Sequence, residues 1–242
     1  MSNLKPLDPE LVGDLLLGNR ILFKYGIVDA FGHISVRHDS DPTKYVMSRH
    51  LAPGLVEAED LITYDLDSNP IPETKHRLYS ERYIHGEIYK MRPDVISVVH
   101  CHAPALIPFG ITKGELQPVY HMSSFLGEGV PKFEIRESAG MTNMLVRTAP
   151  IGKALATDLG DKPMILMRGH GATMVGKSIK HAVYRAVYAA MNAQIQMEAM
   201  RIGEVTYLAK EEADNYERYI DEVIHRPWNM WKREVEDAAA TF

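Results

Sequence analysis

The apolar residues fall into stretches of distinct period. Leu11, Leu15, Leu16, Leu22 and Phe23 recur at helical spacing, which predicts an amphipathic helix. Asp8 offers an N-cap acceptor, Pro9 suits the first helical position, and Gly26 can close the helix in a left-handed conformation. Gly32–Arg37 alternates polar and apolar, as a strand does, with Tyr45–Ser48 as its neighbour. Ile62–Leu66 followed by Asp67–Pro70 reads as strand and turn. Ser80 is expected to open a second helix with Glu81 in its first turn, where the helix dipole favours a carboxylate; Pro93 bounds it. Val95–His102 is mostly apolar and β-branched, the mark of a strand buried on both faces. Met164–Met167 is a second such strand and runs into Arg168-Gly169-His170-Gly171. The longest helix then carries a stripe of Ile179, Ala182, Val183, Ala186, Val187, Ala190 and Met191 and ends near Gly203. The tail after Pro227, with Trp228 and Trp231, is expected to be an arm that packs on something, another subunit being one option. The mixture is α/β; its strand order is not legible in the pattern.

Composition narrows the class. The chain has 242 residues, 45% hydrophobic and 24% charged, with a net charge of −5. That suits one globular domain and excludes disorder over most of the length. A mildly acidic chain without a Lys/Arg stripe is a poor nucleic-acid binder. The one cysteine, Cys101, forbids an intrachain disulfide and fits a reducing compartment. The first residues show no basic-then-apolar secretory pattern, and no apolar run is long enough to span a bilayer. The expectation is a soluble cytoplasmic protein.

The eleven histidines carry the chemistry. His100 and His102 are two apart on an expected strand, so period two sends both rings to one face. His170 follows another buried strand, between two glycines that permit close backbone approach. Three converging neutral imidazoles form a catalytic metal site with an open position. Glu81 is then a fourth ligand or the acid/base. The other reading stays open: hydrogen-bonded structural histidines, with Glu81 stabilising a helix start and His85, one turn on, orienting that carboxylate. Cys101 points away from its neighbours and reads as a small buried hydrophobe.

From about Leu11 to Tyr207 the chain resembles the class II aldolase/adducin family. Phe31-Gly32-His33-Ile34-Ser35, Met47-Ser48-Arg49, Ser80-Glu81-Arg82-Tyr83-Ile84-His85, His100-Cys101-His102 and Arg168-Gly169-His170-Gly171 occur in family order. The resemblance implies a three-layer α/β/α sandwich with a mainly antiparallel central sheet, spanning residues 1–242 with a C-terminal arm from about 208. It also implies a homotetramer with inter-subunit sites and one divalent metal per subunit. His100, His102 and His170 would be the metal ligands. Glu81 would bind the free metal and then exchange a proton with substrate. Manganese or zinc, or iron or cobalt, suits such ligands.

The departures point to a substrate. Sugar-phosphate aldolases of this family usually carry Asn where His33 stands, Thr-Gly where Ser48-Arg49 stands, and paired Ser where Tyr79-Ser80 stands. Each change removes a small phosphate donor. These residues resemble the family's decarboxylase branch, as do Arg49–Pro53, Ile84–Lys90 and His121–Gly127. The implied activity is metal-dependent, non-oxidative decarboxylation of a hydroxylated benzene or pyridine dicarboxylate. Arg49 would hold a second carboxylate bidentately, with Ser48, Tyr79 and Ser80 at the substrate. Glu81, His33 and His121 are the candidates to deliver the proton. Two rivals remain: an aldolase acting on a small hydroxy-keto substrate, and a non-catalytic adducin-like interaction protein, which would not need the His triad.

Overall fold

The computed structural model describes residues 5–239. The first helix, α1 (Pro9–Lys24), begins as expected, with the Asp8 carboxylate accepting the Glu10 N–H at 2.7 Å. Strands β1 (His33–Arg37), β2 (Lys44–Ser48), β3 (Leu61–Asp65) and β4 (Pro70–Ile71) follow. Next come α2 (Arg82–Met91), β5 (Ser97–Cys101), α3 (Ile107–Ile111), β6 (Lys132–Phe133), α4 (Ile135–Ala139) and α5 (Ala149–Leu159). The chain continues through β7 (Met164–Met167), β8 (Gly171–Gly176), α6 (Ile179–Ile202), α7 (Lys210–Glu217), α8 (Ile220–Val223) and α9 (His225–Ala239). The eight strands form one sheet in the order β4-β3-β2-β1-β5-β8-β7-β6. All neighbours are antiparallel except β6 and β7. This is an α/β fold with a mainly antiparallel sheet.

Strand alternation divides the interior into two cores. Val36, Val46, Val99, Cys101, Ala172 and Met174 join the core shared with α1 and α6. Met47, Val98, Ile165 and Val175 join the core shared with α2 and α5. By the same period-two rule His33, Ser35 and His100 belong to the α2 face. That assignment places the histidine-bearing end of the central strands beside the start of α2.

Several expectations are corrected. The segment after Met167 does not pass directly to the long helix. It turns back as β8, whose small residues Gly171, Ala172 and Gly176 had no strand-like signal. Strand β5 ends at Cys101, so His102 lies just beyond it. Ser80 does not cap α2: Glu81 is its N-cap residue and makes no capping bond with its side chain. The tail is helical and packs on its own chain. Trp228 and Trp231 are buried, with Trp231 5.6 Å from the Tyr25 ring and Lys180 over Trp228 at 5.7 Å. Residues 240–242, the end of the expected arm, lie outside the described residues. No helix among the described residues is long and apolar enough to cross a membrane.

Candidate metal centre and active-site cavity

Glu81, His100, His102 and His170 converge, their ligand-type atoms all within 4.8 Å of one another. Each arrives from a different local cause. His100 is the penultimate residue of β5 and is fully buried. Its Nδ1 meets Thr173 Oγ1 at 3.3 Å, and that hydroxyl gives its own proton to the Met167 sulfur. Thr173 therefore accepts from His100 Nδ1–H, which leaves a lone pair on Nε2 facing the cluster. His102 follows β5, and its Nε2 lies 3.1 Å from His100 Nε2. His170 sits in the β7–β8 turn, where Gly169 has φ +62°. A Cβ at Gly171 would collide with the Cys101 carbonyl oxygen, so only glycine brings this turn against the end of β5.

Glu81 closes the set. Its Oε1 accepts the Val146 N–H at 2.9 Å, which turns Oε2 to the imidazoles, 3.5 Å from His170 Nε2 and 3.7 Å from His100 Nε2. Burial pushes the Glu81 pKa up, but the facing His170 and His100 rings and the Val146 N–H overturn that and hold it down at about 2. Burial drives His100 well below the ordinary imidazole value and lowers His102 too, so these rings stay neutral.

The residues fit a divalent cation. Both ring nitrogens of His170 are buried without a hydrogen-bond partner among the described residues, a costly state for polar atoms unless something binds them. Four ligands about 2.1 Å from a tetrahedral metal stand about 3.4 Å apart. The spacings of 3.1, 3.5 and 3.7 Å bracket that figure. A cavity of about 500 Å³ opens beside the cluster. Phe31, Leu51, Leu55, Tyr79 and Leu145 supply apolar wall, and His33, His50, Arg77, Ser80, Glu81 and His102 supply polar groups.

The other expected site residues divide. His33, Tyr79 and Ser80 line the cavity. The Tyr79 hydroxyl donates to the Leu51 carbonyl, and Ser48 is buried against it rather than lining the wall. Arg49 does not reach the cavity: its Nε donates to Asp60 Oδ1 at 2.6 Å, and its N–H to the Asp60 carbonyl at 2.8 Å. His121 is exposed and packs 4.7 Å from the Tyr216 ring, away from the cluster. His85 orients His33, not Glu81: His33 Nδ1 and His85 Nε2 are 2.6 Å apart. Arg77 was missed. It lies in an irregular segment with no periodic signal, yet it lines the cavity, with no ion pair or side-chain hydrogen bond among the described residues. The Val146 N–H was also invisible in sequence, since a backbone donor 65 positions from Glu81 leaves no mark.

The sequence matches the Class II Aldolase and Adducin N-terminal domain family over residues 14–197. It is 36% identical to Decarboxylase tropJ of Talaromyces stipitatus, over 93% of this chain and 94% of that one. It is 29% identical to the 3,4-dihydroxyphthalate decarboxylase of Arthrobacter keyseri, over 72% of each. The structure superposes on an aldolase II superfamily protein from Pseudomonas syringae with a TM-score of 0.80 at 21% identity, covering 98% of this chain and 96% of that one. An L-fuculose 1-phosphate aldolase from Glaciozyma antarctica gives 0.78 at 19% identity, with the same coverage. The chain belongs to the class II aldolase and adducin family and is a carbon–carbon lyase grouped with its decarboxylases.

Proposed function

We propose that this lyase is a metal-dependent, non-oxidative decarboxylase of a hydroxylated aromatic dicarboxylate. The observation that carries the reading is the convergence of three imidazoles and an ionised carboxylate beside a largely apolar cavity that Glu81 and His102 line. The relatives support the substrate class, since one is named for 3,4-dihydroxyphthalate. His100, His102, His170 and Glu81 would hold one divalent ion, manganese or zinc before iron or cobalt. Such an ion would supply Lewis-acid stabilisation of the negative charge that develops on the substrate.

The chain's own residues supply the rest. Tyr79, Leu51 and Leu145, which line the cavity, would border a flat ring. Arg77, without an ion pair among the described residues, takes the carboxylate that is retained, the role Arg49 cannot fill while it is tied to Asp60. Glu81, ionised in the free protein, accepts the proton of the ring hydroxyl. It returns that proton to the ring carbon bearing the leaving carboxylate. The bond to that carboxylate then breaks, its electron pair restores the aromatic ring, and CO2 departs. Solvent reprotonates the ring oxygen, so one proton is consumed and one CO2 released.

The same reading includes a homotetramer with sites completed between subunits. Phe31 and Leu55 on the cavity rim are 64% and 66% exposed, an apolar edge suited to cover by a neighbour. His121 would reach a site only in such an assembly. The test is metal analysis of chelator-free protein followed by a decarboxylation screen of hydroxyaromatic diacids. The reading expects about one divalent ion per chain and CO2 release that excess EDTA abolishes and added metal restores. Aldehyde release from hydroxy-keto substrates with no CO2 from any diacid would replace it with the aldolase reading.

A further inference from the structure

Behind the cavity wall a hydrogen-bond chain runs from His33 into the core on the α2 face. His33 Nδ1 meets His85 Nε2 at 2.6 Å, His85 Nδ1 meets Ser35 Oγ at 2.6 Å, and Ser35 Oγ meets the Tyr89 hydroxyl at 2.7 Å. All four side chains are buried. Such a chain can be polarised in two ways, and they present opposite faces of His33 to the substrate. Counting protons from the inner end decides between them.

The Tyr89 hydroxyl has two acceptors in reach, Ser35 Oγ at 2.7 Å and the Ile96 carbonyl at 3.4 Å. Only the first lies in the ordinary O–H···O range. Tyr89 therefore donates to Ser35. The single Ser35 proton must then go outward, to His85 Nδ1. A neutral His85 accepting at Nδ1 carries its proton on Nε2 and donates it to His33 Nδ1. His33 accepting at Nδ1 carries its own proton on Nε2. That nitrogen has no hydrogen-bond partner among the described residues, and the His33 ring lines the cavity with its centroid 5.1 Å from that of His100.

We propose that Tyr89, Ser35 and His85 fix His33 as its Nε2–H tautomer, so that His33 serves as a neutral hydrogen-bond donor to the substrate oxygen that gains charge. His33 is then a catalytic residue that polarises rather than protonates, and His85 and Ser35 are positioning residues. A neutral imidazole in this role stabilises developing negative charge without a proton changing hands. The proposal rests on the decarboxylase reading for the identity of the oxygen, but not for the tautomer.

Two measurements test it. The first is the ¹⁵N spectrum of the histidine-labelled full-length protein without substrate, with His33 assigned by comparison with His33→Gln. The proposal expects a proton on His33 Nε2; a proton on Nδ1 overturns it. The second compares Ser35→Ala and Ser35→Thr. Ser35→Ala removes the donor to His85 and should lower kcat about tenfold with KM within about twofold, while leaving the tautomer mixed. Ser35→Thr restores the hydroxyl and should restore both. An alanine variant with an unmixed tautomer and full kcat overturns the relay. Should Ser35→Ala fail to fold, the wild-type spectrum still decides. If the wild type decarboxylates no diacid, the functional reading falls while the spectrum continues to judge this proposal.

Discussion

Five histidines crowd one end of the central strands, yet they form two chemically different groups. His100 and His102 face each other across 3.1 Å, and the Glu81 carboxylate stands 3.5 Å from His170 and 3.7 Å from His100, with neither His170 nitrogen hydrogen-bonded among the described residues. His33 and His85 lie only a ring's width away and use their facing nitrogens on each other. Proximity does not separate a ligand set from a positioning set; the fate of each nitrogen does. Buried nitrogens without hydrogen-bond partners suit a cation, whereas nitrogens spent in a chain to Ser35 and Tyr89 set an orientation.

The contrast breaks most visibly on substitution of His170. His170→Ala should lose the bound ion and lower turnover by about a thousandfold or more, since the ion is asked for several kcal/mol of charge stabilisation. Metal content and CO2 release measured on the same sample check this. Glu81→Gln should keep the metal, because three imidazoles remain, and still lower kcat by about 10²- to 10⁴-fold as the proton carrier is lost. Near-normal turnover there would remove Glu81 from the proton step.

The two arginines sharpen the same lesson, Arg77 lining the cavity and Arg49 tied to Asp60 outside it. Arg77→Gln should raise KM for a diacid by about ten- to a hundredfold, the scale of a lost charge-assisted hydrogen bond, and leave a matched monoacid nearly unchanged. Arg49→Gln should instead leave KM alone and lower stability by about 1–3 kcal/mol, because buried Asp60 would lose the partner that helps hold its carboxyl below the ordinary range. Steady-state kinetics beside urea unfolding separate the two.

The smallest effect concerns pH. Burial holds His85 at about 3, against an ordinary imidazole value of 6.5. Its folded value is the lower one, so the stability tied to the neutral ring is complete above pH 6.5 and fades as pH falls from 6.5 toward 3. The slope for that one group is about 1.4 kcal/mol per pH unit. Urea unfolding at pH 7, 6 and 5 should show the metal-free protein weakening, and His85→Gln should lose one proton's share of that slope.

Much of this was legible in the chain and some was not, for physical reasons. Helices α1 and α6 announce themselves by apolar residues at helical spacing, β1 by alternation, and β5 by the continuous β-branched run of a strand buried on both faces. The three histidines and Glu81 could be nominated because ligand chemistry restricts residue type. Strand β8 could not be seen, since Gly171 and Gly176 are there to let backbones approach and carry no strand propensity. Arg49 reads from the sequence as a carboxylate anchor because it stands within a motif. Only the fold shows that Asp60 already occupies it and that Arg77, in an irregular stretch, lines the cavity without an ion pair among the described residues. Trp228 and Trp231 suggested a partner, but their partners are Tyr25, Tyr188 and Lys180 of the same chain.

The central claim is that these four side chains grip one ion. Anomalous diffraction from crystals soaked in manganese tests it most directly. The account predicts one strong peak per chain, bonded to His100, His102, His170 and Glu81. Density bonded elsewhere, or none there in protein that still releases CO2 under excess chelator, would contradict it.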